Sequence, residues 1–206
     1  MPRLRFALLL LLAACGGAAE TRASATEAGT AAAAPAPAPG TVDSTFTPQE
    51  NMRRFREGLA EPRALEGGAE SREALVRGFM DALARRDTAA LIRMHMTRAE
   101  FAYLYYPHTS LAGADGYLEP KTVWFLLRLE SEKGLNRLMQ RLGGKGARFG
   151  GLRCEDAPRA EGPNRLWEEC LLELRDRPAD LRARRLFGTI VEREGRFKFV
   201  SYKTDM

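Results

Sequence analysis

Residues 16–46 contain almost no large apolar side chains, and this restricts the folding of the chain more than any other feature. Gly, Ala, Ser, Thr and Pro dominate the segment, and its middle reads AAAAPAPAPG at 31–40. Such a segment cannot bury enough apolar surface to offset the entropy lost on ordering. We therefore expect a disordered linker, stiffened by its prolines toward polyproline II, and a single folded domain in residues 47–206.

The chain begins with a short apolar run. Arg3 and Arg5 precede an uninterrupted stretch of apolar residues from Phe6 to Ala14, which is typical of a secretory signal. This stretch is too short to cross a bilayer, because a transmembrane helix needs about 20 apolar residues. The sequence therefore predicts a signal peptide over residues 1–14.

The residues that follow the apolar run, LAAC at 12–15, resemble the lipobox of bacterial lipoproteins. In that family the cysteine thiol receives a diacylglycerol, the peptide before it is removed, and the new amino terminus is acylated, commonly with palmitate. The resemblance implies that Cys15 is lipidated and that residues 15–46 tether the domain to a membrane of the cell envelope. Gly16, in place of Asp, implies the periplasmic side of the outer membrane in a cell that has one. The alternative is an ordinary signal peptide with a cysteine after the cut.

The small net charge of the mature chain bears on which partners the protein can bind. Losing Arg3 and Arg5 with the signal leaves 30 of the 32 basic residues against 27 acidic ones, a net charge of +3. An excess this small does not favour nucleic acid, which binds strongly basic surfaces. We expect a membrane contact through the lipid anchor, and an envelope protein or a small apolar ligand as the partner of the domain.

The apolar periodicity changes from helical to strand-like near Gly144. Capping boxes at Thr47 and Thr97 and apolar spacing after Ser71 predict helices up to this point, and a longer helix begins near Pro120. Beyond it, alternating residues predict antiparallel hairpins, the last one turning at Glu194 and Gly195. Helices first and strands last predict an α+β domain, with one bent antiparallel sheet packed on the helices.

The two cysteines of the domain fall opposite each other in a hairpin centred on Gly162. The facing positions are Cys154 and Cys170, Leu152 and Leu172, and Gly150 and Leu174. An exported protein with an even number of cysteines beyond its anchor is a candidate for a disulfide. The alternative is two buried thiols that only pack. A metal site is not expected, because there is no C-x-x-C and neither histidine lies in this hairpin, and no cofactor is expected.

Two stretches resemble the NTF2-like superfamily, which includes ketosteroid-isomerase-like and SnoaL-like proteins. They are ALVRGFMDALARRDTAALIRM at 74–94, like its opening helices, and FGTIVEREGRFKFVSYKTDM at 187–206, like its last hairpin. The resemblance implies N-terminal helices on a curved antiparallel sheet that encloses an apolar pocket. Enzymes of this superfamily use a carboxylate base and hydrogen-bond donors such as Tyr. The chain departs from the pattern after residue 99, where EFAYLYYP replaces a short strand.

Tyr103, Tyr105 and His108 form the densest polar-aromatic group and are the candidate pocket residues. On an α-helix Tyr105 and His108 share one side with Phe101, which is also typical of a core stripe with a polar end. His95 ends a predicted helix, where the helix dipole favours a cation, and this position suggests no function of its own.

Two functional hypotheses follow from these patterns. The first is a membrane-tethered envelope lipoprotein whose domain binds a ligand or a partner without catalysis. The alternative is an isomerase- or dehydratase-like enzyme in which Tyr105 or His108 assists a carboxylate inside an apolar cavity. The sequence contains no G-x-S-x-G, H-E-x-x-H or G-x-x-x-x-G-K motif, so no catalytic residue is assigned.

Replacing the acceptor thiol tests the anchor directly. We expect Cys15→Ser to block processing and to release the protein from the membrane fraction, because several acyl chains bind far more firmly than one. Mass spectrometry of the native amino terminus checks the modification, and fractionation checks the location. A native chain whose Cys15 carries no lipid would contradict the prediction.

Overall fold

Helices occupy the first part of the described chain and strands occupy the second. The computed structural model describes residues 46–175 and 183–205, so the predicted signal, Cys15 and nearly all of the linker lie outside it. The helices are α1 (Pro48–Arg56), α2 (Arg72–Arg85), α3 (Thr88–Met94), α4 (Arg98–Glu100) and α5 (Pro120–Arg141). The strands are β1 (Arg148–Arg153), β2 (Arg159–Glu161), β3 (Asn164–Trp167), β4 (Leu171–Arg175), β5 (Ala183–Arg184), β6 (Ile190–Arg193) and β7 (Arg196–Phe199). The predicted α+β class is confirmed.

Side-chain caps fix the beginnings of the first four helices. The N-cap residues are Thr47, Ser71, Asp87 and Thr97, and each side chain accepts a hydrogen bond from a backbone N–H of the first turn. The predicted box is reciprocal at Thr97, where the Glu100 carboxylate bonds back to the Thr97 N–H. At α1 it is incomplete, because Glu50 turns to Arg53 and Arg54, whose hydrogen bonds lower its pKa to about 2.

The strands form two antiparallel sheets, and the prediction of one bent sheet is wrong. One sheet has the order β1-β4-β5 and the other has the order β2-β3-β6-β7. The sequence predicts one strand across residues 165–175, but that stretch breaks after Trp167, where Glu169 adopts a left-handed conformation with φ of 45°. The break sends β3 to β6 and β4 to β1.

The pairing of β1 with β4 follows the predicted register only in part. Leu152 lies opposite Leu172 as predicted, whereas Leu174 lies opposite Phe149 instead of Gly150. An irregularity in the pairing between Phe149 and Gly151 shifts the register by one residue.

The predicted cysteine pair is confirmed. The Sγ atoms of Cys154 and Cys170 are 2.03 Å apart, at disulfide-bonding distance. Cys154 directly follows β1, and Cys170 directly precedes β4. Cys170 is fully buried, and Cys154 packs against the same core. The bond closes a loop that contains the β2–β3 hairpin, whose turn includes Gly162.

Two apolar cores lie on opposite faces of the four-stranded sheet. Successive side chains of a strand point to opposite faces of the sheet. Trp167 therefore packs against the larger core, which contains Phe79 of α2, whereas its neighbour Leu166 belongs to the smaller core. The smaller core packs Phe55 of α1 and Phe101 against this sheet. No helix in residues 46–175 or 183–205 has the length and hydropathy that a membrane span requires.

A buried ion pair joins the helical part to the last strand. Lys198 and Glu100 are each 1% exposed, and the Lys198 Nζ lies 2.9 and 3.0 Å from the two carboxylate oxygens. Nζ also donates to the Glu66 carbonyl at 3.0 Å, while the carboxylate accepts from the N–H groups of Glu66 and Thr97, both at 2.7 Å. Each charge therefore has several hydrogen-bond partners, as burial of an ion pair requires.

Removing one member of this pair leaves the other charge buried without its counter-ion. We expect Lys198→Met to lower the free energy of unfolding by about 3–5 kcal/mol, whereas Lys203→Met, at an exposed lysine, changes it by less than about 0.5 kcal/mol. The double variant Glu100→Gln/Lys198→Met should recover part of the loss. Urea unfolding of the full chain measures all three, and equal effects of the two lysine variants would contradict the prediction.

Candidate functional site

Two adjoining depressions along α5 form the candidate site. The α1–α5 groove has a volume of about 810 Å³, and its apolar lining consists of Phe46, Phe55, Trp124, Phe125 and Leu129. The His95 recess has a volume of about 340 Å³, and its main lining residues are Ile92, His95, Met96, Trp124, Ser131, Leu135 and Tyr202. Trp124 lines both, as do Arg98, Arg128 and Glu132, so the two depressions share a wall.

Packing of α4 and α5 on the smaller core builds that shared wall. The Trp124 ring packs on Phe101, with the ring centroids 5.2 Å apart. The Arg98 guanidinium lies over the Phe55 ring and donates to the Phe55 carbonyl at 3.0 Å. Arg128 pairs with Glu132 one turn along the helix. The wall therefore has an aromatic centre flanked by charged side chains.

A hydrogen-bonded relay forms the floor of the recess. The Tyr202 N–H donates to the Ser131 Oγ at 3.2 Å, and the Ser131 Oγ lies 3.0 Å from the His95 Nε2. The His95 Nδ1 lies 2.7 Å from the Met96 carbonyl oxygen. A carbonyl can only accept, so Nδ1 carries a proton, and in the neutral ring Nε2 accepts from the Ser131 hydroxyl.

Burial lowers the pKa of His95 and favours that neutral form. Lys198 lowers the pKa further, while the hydrogen bond to the Met96 carbonyl raises it in part. The sequence predicts a site that favours a cation at the end of α3. His95 does end α3, but its pKa is lowered and not raised, because the chain turns away there in an extended conformation and the ring is partly withdrawn from water.

A glycine of α5 allows the C-terminal segment to approach the helix. A Cβ on Gly134 would lie 1.7 Å from the Tyr202 carbonyl oxygen, so a larger residue cannot fit there. The close approach brings the Tyr202 N–H within reach of Ser131. The Tyr202 hydroxyl then bonds to the Leu91 carbonyl, which ties the same segment to α3.

The structure places Tyr103, Tyr105 and His108 on two consecutive helical turns of different kinds. The Tyr103 ring lies beneath the Arg56 guanidinium, beside a separate surface groove. Tyr105 packs against Phe101, and burial raises its pKa, whereas His108 is exposed. The prediction assumed α-helical spacing, whereas residues 101–105 form a π-helical turn and 106–108 a 3₁₀ turn, so the three side chains do not follow that spacing.

Sequence reasoning missed Ser131 and Trp124 as site residues. One signal was available, since Ser131 and Gly134 place two small residues one turn apart on the buried side of α5. Small residues at that spacing indicate close approach of another backbone. Within the described ranges, no group of three or more His, Cys, Asp or Glu side chains is placed to hold a metal ion.

Comparison of the chain with protein-family models, with curated proteins and with solved structures finds no match.

The partly buried imidazole of His95 makes stability depend on pH. Because folding lowers the pKa of His95 below its ordinary value of 6.5, the unfolded chain binds the extra proton more readily. Stability is therefore complete above about pH 6.5 and falls as the pH drops below it, by up to about 1.4 kcal/mol per pH unit until the folded pKa is reached.

Urea unfolding between pH 5 and 7.5 measures this effect against the background of other groups. We expect His95→Gln to lose most of the pH dependence in this window. The other histidine of the chain provides the control, since His108→Gln alters an exposed ring. Identical pH profiles for the two variants would contradict the assignment.

Proposed function

We propose that this chain is an envelope lipoprotein, anchored through Cys15, whose domain is a non-enzymatic module that binds a small apolar ligand in the His95 recess. The fold we propose for the domain is NTF2-like. The order of helices before strands and the closing β6–β7 hairpin support that assignment.

The recess carries the proposal. Its volume of about 340 Å³ is at the low end of the roughly 300–1,000 Å³ that small-molecule sites occupy. Trp124, Leu135 and Met96 give it apolar walls, while His95 and Ser131 supply the polar atoms of its floor. Apolar walls with a few fixed polar groups are the usual composition of a ligand pocket.

The hydrogen bonds of His95 and Ser131 favour a ligand-binding role over a catalytic one. The Nδ1 proton of His95 is engaged by the Met96 carbonyl, and the Ser131 Oγ accepts from the Tyr202 N–H. Ser131 also lies in the middle of α5, where backbone N–H groups bond to carbonyls four residues earlier. Such a position offers few donors for a developing oxyanion.

A pocket enzyme is the second candidate, favoured by one observation. The Ser131 hydroxyl faces the His95 Nε2 at 3.0 Å, which is the contact a base needs to activate a nucleophile. Covalent labelling of Ser131 by a fluorophosphonate would favour this candidate over the binding module.

The cysteine pair supports the proposed compartment. Disulfides form and persist in secreted and periplasmic proteins and are rare in the reducing cytosol. Cys154 and Cys170 lie at bonding distance, as an exported domain would have them. This observation and the lipobox resemblance at Cys15 are independent of each other.

Filling the recess should weaken ligand binding. We expect the apolar probe N-phenyl-1-naphthylamine to bind the full chain saturably, and Leu135→Trp to weaken this binding at least about tenfold, or about 1.4 kcal/mol. Leu126→Trp, at an exposed position of the same helix that does not line the recess, is the control. Fluorescence titration measures both, and equal affinities would exclude the recess as the site.

A further inference from the structure

We infer that the α1–α5 groove is a membrane-docking face that rests on the phospholipid surface to which Cys15 anchors the chain. The inference goes beyond ligand binding in the recess, but it depends on the proposed lipid anchor. The proposed partner of the groove is a bilayer of zwitterionic phospholipid.

The groove exposes large apolar side chains. Phe125 is 62% exposed and Phe46 is 40% exposed, and both line the groove beside Trp124. Leu126, next to Phe125 on α5, is 46% exposed. A cluster of exposed aromatic and aliphatic side chains is unusual on a protein that contacts only water, and it marks an interaction surface. Aromatic rings are also the side chains that favour the membrane interface.

The charges of the groove suit a headgroup layer that carries both signs. Its cations are Arg54, Arg98, Lys121 and Arg128, and its carboxylates are Glu57, Glu119 and Glu132. A nearly balanced set disfavours a strongly anionic partner and matches phosphate and amine groups side by side. The Arg128–Glu132 pair is 59% exposed on each side, so exchanging it for headgroup contacts costs little.

The linker joins the domain at the groove itself. Phe46 is the first residue that the structure describes, and its ring lies 3.4 Å beneath the Arg54 guanidinium carbon. The Asn51 side chain donates to the Phe46 carbonyl at 3.2 Å. Residue 46 is thus held in the rim of the groove, and the predicted linker is attached to this side of α1.

Because the tether is attached here, even a weak affinity of the groove for the bilayer is sufficient to keep the domain docked. A flexible linker of about 30 residues spans about 30 Å on average, which keeps the effective concentration of the membrane surface high. A free protein partner lacks this advantage. Charged residues also interrupt the apolar lining of the groove, whereas a helix bound in a groove needs a continuous apolar stripe.

The two tryptophans of the chain allow a direct test. The lipidated mature chain is reconstituted into phosphatidylcholine vesicles whose acyl chains are either brominated or unmodified. Trp167→Phe leaves Trp124, which lines the groove. Trp124→Phe leaves Trp167, which projects from the other face of the four-stranded sheet and is stacked under Arg72.

We expect brominated lipid to reduce Trp124 emission about twofold and to leave Trp167 nearly unchanged, because interfacial side chains enter about 5–10 Å into the boundary of headgroups and acyl chains. Phe125→Asp, in the Trp167→Phe background, should remove the quenching while the chain still floats with the vesicles. Leu111→Asp, at an exposed leucine outside the groove, should leave it intact.

The outcomes separate the two proposals. A chain that does not float with the vesicles overturns the lipid anchor and the docking face together. A chain that floats while Trp124 is quenched no more than Trp167 overturns the docking face alone and leaves the groove to a protein partner. Quenching that survives Phe125→Asp also overturns it, because the contact then lies elsewhere.

Discussion

The buried contact between Glu100 and Lys198 is the constraint on which the arrangement of this domain depends. It joins the capping box of α4 to the last strand across 98 residues of sequence. The same carboxylate caps its own helix and holds the backbone of Glu66. Because a buried charge tolerates little displacement, this contact fixes where the π-helical turn and the aromatic side chains after it must pack. Trp124, and with it the shared wall of the candidate site, packs against that turn.

Local features of the fold could be predicted from the sequence. The caps at Asp87 and Thr97 depend on side chains within one turn of the residues that they serve, and the hairpin at Glu194 depends on its own turn. The facing of Cys154 and Cys170 was also predictable, because alternation and a turn position together set a register. In each case the determining residues are near one another in the chain.

The features that were missed depend on contacts between distant segments. Nothing near Glu169 indicates that its strand should divide between two sheets. The π-helical turn moves Tyr105 away from the positions that α-helical spacing assigns. The pairing of His95 with Ser131 crosses 36 residues and exists only because α3 and α5 both meet the C-terminal segment. The periodicity of one segment carries no information about its contacts with distant segments.

The contact of Tyr202 with α5 has a consequence for the order in which the site is assembled. Gly134 admits this backbone, and the Ser131 Oγ accepts a hydrogen bond from its N–H, so the segment that follows β7 completes the floor of the recess. Synthesis from the amino terminus onward supplies α3 and α5 before it supplies this segment. A copy that lacks this segment therefore has the walls of the recess without its floor.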